Sequence, residues 1–133
     1  MDYEYKSGQV IKTIAYEVPI INEPFMYHFG VIFVEEDGSV FVLHNSLDKG
    51  TIKETLEVFL SSREVEEILP SKLENLSNEE LLYRFELCND NFDYLRYNCE
   101  HFIDCMEGSE PKSEQAVLYA LILVTLIVVI KKL

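Results

Sequence analysis

Tyr27-His28-Phe29-Gly30-Val31-Ile32-Phe33-Val34-Glu35-Glu36-Asp37-Gly38-Ser39-Val40-Phe41-Val42-Leu43-His44 is the stretch on which the fold turns. Two β-prone runs, residues 25–34 and 39–43, flank an acidic segment ending in Gly38, which supplies hairpin turn chemistry. If residues 36–38 form a three-residue loop with Gly38 left-handed, Glu35 pairs with Ser39. The register carried back then sets Gly30 opposite His44. His28 and His44 share one face, diagonal to each other, with the side-chain-free Gly30 beside them. A two-residue Asp37-Gly38 turn would shift the register by one and separate the histidines.

Outward from the hairpin, residues 8–14 are a β-branched run after Gly8 and read as a first strand. Pro19 and Pro24 break any long element, so residues 15–23 are expected to be irregular or extended. Ile52, Leu56, Phe59 and Leu60 recur at helical spacing, which predicts a helix over residues 52–60. Residues 63–69 read as another strand, stopped by Pro70. Ser77-Asn78-Glu79-Glu80 has the form of a capping box, and Leu81, Leu82, Phe85 and Cys88 continue at helical spacing. Residues 89–98 form an aromatic-rich approach to Cys99. Strands followed by helices make the chain α+β.

Cys99 opens the last helical run of the folded part. Asn98 stands at the capping position, Phe102, Ile103 and Met106 follow at helical spacing, and Gly108 sits where a left-handed stop is wanted. Backbone N–H groups at a helix start stabilise negative charge, which favours a Cys99 thiolate. His101 lies about 200° round the helix axis from Cys99, so it reads as a structural partner rather than a base. Cys99, His101 and Cys105 with His28 and His44 also form a Cys/His set. No cysteine pair has two-to-four-residue spacing, and Cys99 and Cys105 do not share a helix face, so no metal and no cofactor are expected.

The 133 residues fit one small domain, and formal charge is −13. Residues 116–133 hold two lysines and no acid, which leaves −15 on the part before them. Such a surface repels phosphate backbones and anionic lipid, so no nucleic-acid partner is expected. Three cysteines cannot all pair within one chain, and no cleavable secretory signal opens the sequence, so reduced thiols in a cytosol-facing domain are expected. Cys88 and Cys105 read as buried helix residues. Residues 109–115 form a polar hinge. Residues 116–130 carry no charge and end in Lys131-Lys132-Leu133. At ~1.5 Å per residue that run reaches about 22 Å, short of a hydrocarbon core of roughly 30 Å, yet it is apolar on nearly every face. A single-pass C-terminal anchor in an intracellular membrane is the expectation, with a buried core helix as its rival.

Asn98-Cys99-Glu100-His101-Phe102 resembles the signature of the lecithin retinol acyltransferase-like family, in particular its H-Ras-suppressor-like phospholipid acyltransferase branch. The run Tyr27-His28-Phe29-Gly30-Val31-Ile32-Phe33 is similar to that family's histidine strand, and Leu43-His44-Asn45 to its second histidine. The resemblance covers most of residues 8–108. It implies a permuted papain-like (NlpC-type) fold over residues 1–108, with Cys99 as nucleophile, His28 as base and His44 as third member. It implies a membrane-anchored thiol acyltransferase or phospholipase acting on phospholipid esters through an acyl-thioester. The spacing departs from both the retinol-esterifying and the phospholipid members, which leaves substrate identity open. A thiol peptidase or amidase of the NlpC type, or a non-catalytic membrane-anchored adaptor, fits the same residues.

Overall fold

The structure is a computed structural model and describes residues 3–18, 23–90, 98–109 and 113–133. Five strands, β1 (Val10–Val18), β2 (Glu23–Val34), β3 (Val40–Ser46), β4 (Gly50–Thr55) and β5 (Glu64–Leu69), make one antiparallel sheet in the order β4-β3-β2-β1-β5. Among the described residues four α-helices accompany it: α1 (Leu56–Phe59), α2 (Asn78–Leu87), α3 (Cys99–Glu107) and α4 (Glu114–Lys132).

The three-residue loop of the central hairpin forms. Gly38 takes φ 89°, its N–H donates to Glu35 O at 2.9 Å, and the Glu35 N–H donates to Ser39 O at 2.9 Å. A side chain at residue 38 would strain that left-handed backbone. The register follows as expected, with Val34 opposite Val40 and Gly30 opposite His44.

Two sequence expectations are corrected here. β1 runs on to Val18 and β2 starts at Glu23, so both ends of the stretch expected to be an irregular or extended connection are extended as paired strand. Slips in the β1–β2 register around Tyr16 absorb the irregularity as a bulge would; residues 19–22 lie outside the described residues. The helix expected over residues 52–60 is instead a strand followed by one short turn of helix. Pairing of β4 with β3 wins over the helical spacing of Ile52 and Leu56, and α1 begins only where Thr55 caps it by accepting from the Val58 N–H. The consequence reaches the site, because alternation along β4 puts Glu54 opposite Val42 on the histidine face.

Both faces of the sheet are covered. On one, Val10, Val31, Phe33 and Leu43 pack with Leu81 of α2 and Phe102 and Met106 of α3. On the other, Ile11, Ile32 and Val42 pack with Phe59 of α1. Side-chain alternation assigns His28, His44 and Glu54 to the Phe59 face, while α3 lies against the opposite one.

α2 and α3 are joined by a disulfide between Cys88 and Cys105, with Cα atoms 5.9 Å apart. This corrects the expectation of reduced, buried helix cysteines: Cys88 is buried at the C-cap of α2, Cys105 is exposed, and Cys99 alone is free. Packing of the two helices brings together side chains that sequence spacing kept apart. α4 has 19 residues, about 28 Å of helix, and none of them is buried. A buried core helix is therefore excluded for the C-terminal run. By length and composition α4 is able to cross a membrane.

Candidate active site

A chain of buried polar contacts begins at His28. Its Nε2 lies 2.9 Å from Nδ1 of His44, and Nε2 of His44 lies 2.8 Å from Oε2 of Glu54. The other Glu54 oxygen is ion-paired with Lys49. His44 is wholly buried and His28 is 8 % exposed. Phe59 stacks edge-on against His44 with ring centroids 4.8 Å apart, and the Arg63 guanidinium lies over the Phe59 ring at 4.8 Å. Gly30 makes the histidine pair fit: a Cβ there would run into the Val42 methyl and press on the His44 Cβ.

Electrostatics then fix the tautomers. Burial pushes the His44 pKa down to about 4, against the pull of Glu54, and burial, His44 and Arg63 push His28 well below its usual value. Both rings are neutral at pH 7. Burial pushes the Glu54 carboxyl up, but its bonds to Lys49 and His44 leave it below the usual carboxylate range, so it is ionised and only accepts. His44 must therefore carry its proton on Nε2 and accept at Nδ1. His28 in turn donates from Nε2, and its free lone pair falls on Nδ1.

Cys99 arrives from the other side of the sheet. It is the first residue of α3, capped by Asn98, whose Oδ1 accepts from the Glu100 and His101 N–H groups while His101 Nδ1 accepts from the Asn98 N–H. The readings of Asn98 as cap and His101 as structural partner hold. The last β2–β3 pair is Gly30 with His44, so the backbone groups of Tyr27 and Phe29 that point toward β3 have no strand opposite them. Cys99 and Gln115 occupy that bare edge. The Cys99 thiol makes a long contact of 3.8 Å with Tyr27 O, Gln115 Nε2 donates to the sulfur at 3.5 Å, and the Tyr27 N–H donates to Gln115 Oε1 at 3.0 Å.

His28, Cys99, Asp48, Arg63, Gln115 and Tyr119 line one pocket of about 280 Å³. The structure thus brings His28 and His44 into contact and sets Cys99 at the wall of the same pocket. No hydrogen bond joins Cys99 to His28 among the described residues. The expected thiolate is corrected as well. Burial pushes the Cys99 thiol up to about 11, and the Phe29 backbone and Gln115 only partly offset it. Desolvation outweighs the helix start because Cys99 is 3 % exposed.

Three participants escaped the sequence reading. Glu54 was hidden by the helical reading of residues 52–60; its signal was the alternation of Ile52 and Glu54 among β-branched neighbours. Arg63 stood at the start of an expected strand. Gln115 had no sequence signal, since it lies 16 residues after Cys99 in the expected hinge. Residues 113–115 of that hinge are tied to α3: Ser113 Oγ donates to Glu100 Oε1 at 3.1 Å, and the Gln115 N–H donates to the same oxygen at 3.0 Å. Among the described residues, no three His, Cys, Asp or Glu side chains are arranged to hold a metal ion.

The class these features define is an α+β domain with a buried Glu-His-His chain and a free thiol on one pocket, followed by an exposed apolar helix. Compared with known proteins, the chain matches no family model, no curated protein and no solved structure.

Proposed function

We propose that this is a membrane-anchored thiol enzyme of the lecithin retinol acyltransferase-like kind, with a permuted papain-like fold, that transfers or hydrolyses the acyl group of phospholipid esters. The observation that carries the reading is the Glu54–His44–His28 chain, which leaves His28 Nδ1 unprotonated on a ring that lines the same pocket as Cys99. A thiol nucleophile needs such a base, and the base needs partners that hold its tautomer.

In the proposed reaction the Cys99 thiol turns from Tyr27 O and gives its proton to His28 Nδ1. The sulfur attacks the ester carbonyl, forming the C–S bond as the carbonyl electron pair moves to oxygen. The intermediate collapses with loss of the C–O bond, and the leaving alkoxide takes the proton from His28. A lyso-lipid, an amine or water then attacks the thioester, passing its proton through His28 and regenerating the thiol. With both groups neutral at rest, proton transfer accompanies attack rather than preceding it.

Membrane anchoring rests on α4. Leu121, Leu123, Val124, Leu126 and Ile127 are all exposed, and a soluble monomer rarely leaves an apolar surface of that extent bare. A bilayer covers it and places the pocket near lipid esters, which raises their local concentration without a new contact. The Cys88–Cys105 pairing withdraws the free-thiol argument for a cytosolic face, so no orientation is proposed.

The test is intact mass of the full chain after incubation with phosphatidylcholine in detergent micelles. A fatty-acyl adduct on Cys99, released by hydroxylamine and absent in Cys99→Ala, is expected. Cys99-dependent cleavage of peptides without any acyl adduct would favour the peptidase, and neither activity would favour the adaptor.

A further inference from the structure

We propose that Arg63 binds the phosphate of the lipid whose ester Cys99 attacks, so that the pocket selects phosphate-bearing esters over neutral ones. This rests on the acyl-transfer reading and extends it to how the substrate is recognised.

Cations are scarce in this chain, with 11 lysines and arginines against 24 acidic residues. In the folded part they are drawn to carboxylates: Lys6 pairs with Glu74, Lys49 with Glu54, Lys53 with Glu35 and Arg84 with Glu80. Arg63 has no acidic partner among the described residues; its contacts are with Phe59. It is also the one lysine or arginine among the described residues that line the pocket of Cys99 and His28. Asp48 lines that pocket too, and no ion pair joins the two. An acidic domain repels anions at long range, so a pocket that takes one needs a positive charge of its own beside it.

The guanidinium is fixed before any ligand arrives. One of its N–H groups donates to Phe59 O at 2.8 Å, and the group lies over the Phe59 ring at 4.8 Å. The Arg63 backbone N–H donates to Leu60 O at 3.3 Å, which closes the turn between α1 and β5. A guanidinium held this way keeps further N–H donors in a planar fork that matches a pair of phosphate oxygens. Phe59 links this cation to the proton relay, with ring centroids 5.7 Å from His28 and 4.8 Å from His44. Arg63 is close enough that, after burial and His44, its charge helps push the His28 pKa down. A glycerophospholipid carries ester and phosphate on one glycerol, so its carbonyl faces Cys99 while its phosphate meets Arg63 in the same pocket.

Stacking on Phe59 would by itself account for an arginine here, and the experiment separates the two roles. The full chain in detergent micelles is given phosphatidylcholine or a diacylglycerol with the same acyl chains, which offers the same ester and no phosphate. The parent should prefer phosphatidylcholine by kcat/KM. In Arg63→Gln the ratio of the two kcat/KM values should fall about 10–100-fold, as for a lost hydrogen bond to a charged group, with the change in KM for phosphatidylcholine rather than in kcat. Arg63→Lys keeps the charge without the fork and should recover part of the ratio. An unchanged ratio would overturn the phosphate contact, and if both rates fell together it would leave Arg63 a packing role on Phe59. A parent that treats the two esters alike would overturn it without any variant. A parent that turns over neither ester would overturn the acyl-transfer reading and this inference together.

Discussion

His44 Nε2 meets Glu54 Oε2 at 2.8 Å where neither side chain reaches bulk water, so the carboxylate decides which nitrogen of His44 carries the proton and, through it, which nitrogen of His28 is free. Glu54→Gln presents an amide that is able to donate to Nε2, which permits the wrong tautomer. A drop of about 10²–10⁴ in acyl transfer is expected, as for loss of an orienting carboxylate in a triad. The far-UV circular dichroism should stay close to the parent's. Unchanged turnover in Glu54→Gln would remove Glu54 from the proton relay.

The Cys99 thiol should respond to pH as a buried group. With its pKa pushed to about 11, the thiolate fraction, and with it the iodoacetamide rate, rises about tenfold per pH unit from pH 7 to 10. Alkylation at neutral pH should be slow despite the helix start. A rate that levels off near pH 8 would place the sulfur in an activated setting that its burial does not provide.

Cysteine counting offers a separate check. Iodoacetamide on the unreduced chain should add one adduct, on Cys99, and three after denaturation and reduction. Reduction alone should also destabilise the domain by about 3 kcal/mol, since the bridge closes a loop of 17 residues' separation between α2 and α3. Urea unfolding with and without dithiothreitol reads that loss. Three adducts without reductant would show the bridge unformed.

Acid should unfold the domain through the histidines. Both folded pKa values lie below the unfolded value of about 6.5, so the unfolded chain binds more protons as pH falls. The stability held by the neutral pair is complete above pH 6.5. It is lost as pH falls through that value, with His44 charging only near pH 4. Urea midpoints at pH 7, 5.5 and 4 should drop progressively in the parent and less steeply in a His28→Asn, His44→Asn double variant. Equal slopes would mean the decline comes from carboxylates alone.

The residues nearest the hairpin were the most legible. Acidic residues ending in Gly38 mark a turn, and once the three-residue loop is chosen over the two-residue one, its register alone puts His28 and His44 on one face. Asn98, Cys99, His101 and Gly108 were equally readable because a cap and its helix lie within a few residues. What escaped needed tertiary context. Ile52 and Leu56 obey a helical period by coincidence, and only the partner strand β3 decides against it. The Cys88–Cys105 bridge depends on how α2 meets α3. Burial of Cys99 reversed the thiolate expectation, because a helix start is worth little against desolvation of the sulfur. Gln115 reaches the site only because Glu100 clamps the first turn of α4, a contact across 15 residues that no local pattern announces.

That clamp also fixes where the tail is separable from the domain. Residues 120–133 are exposed throughout, so removing them costs no packing, whereas Gln115 and Tyr119 line the pocket. A chain ending at Tyr119 should leave the membrane pellet, stay folded with the parent's urea midpoint, and keep its activity on detergent-dispersed lipid while losing most of it on vesicles. A chain ending at Ser113 should also become soluble, yet lose acyl transfer on both, since it lacks the amide beside Cys99. Sedimentation with vesicles and turnover in micelles distinguish these outcomes. If the chain ending at Tyr119 still pellets with membranes, α4 is not what holds the protein there. If the two truncations are equally active in micelles, the boundary between anchor and site lies before Gln115, and the tail contributes attachment alone.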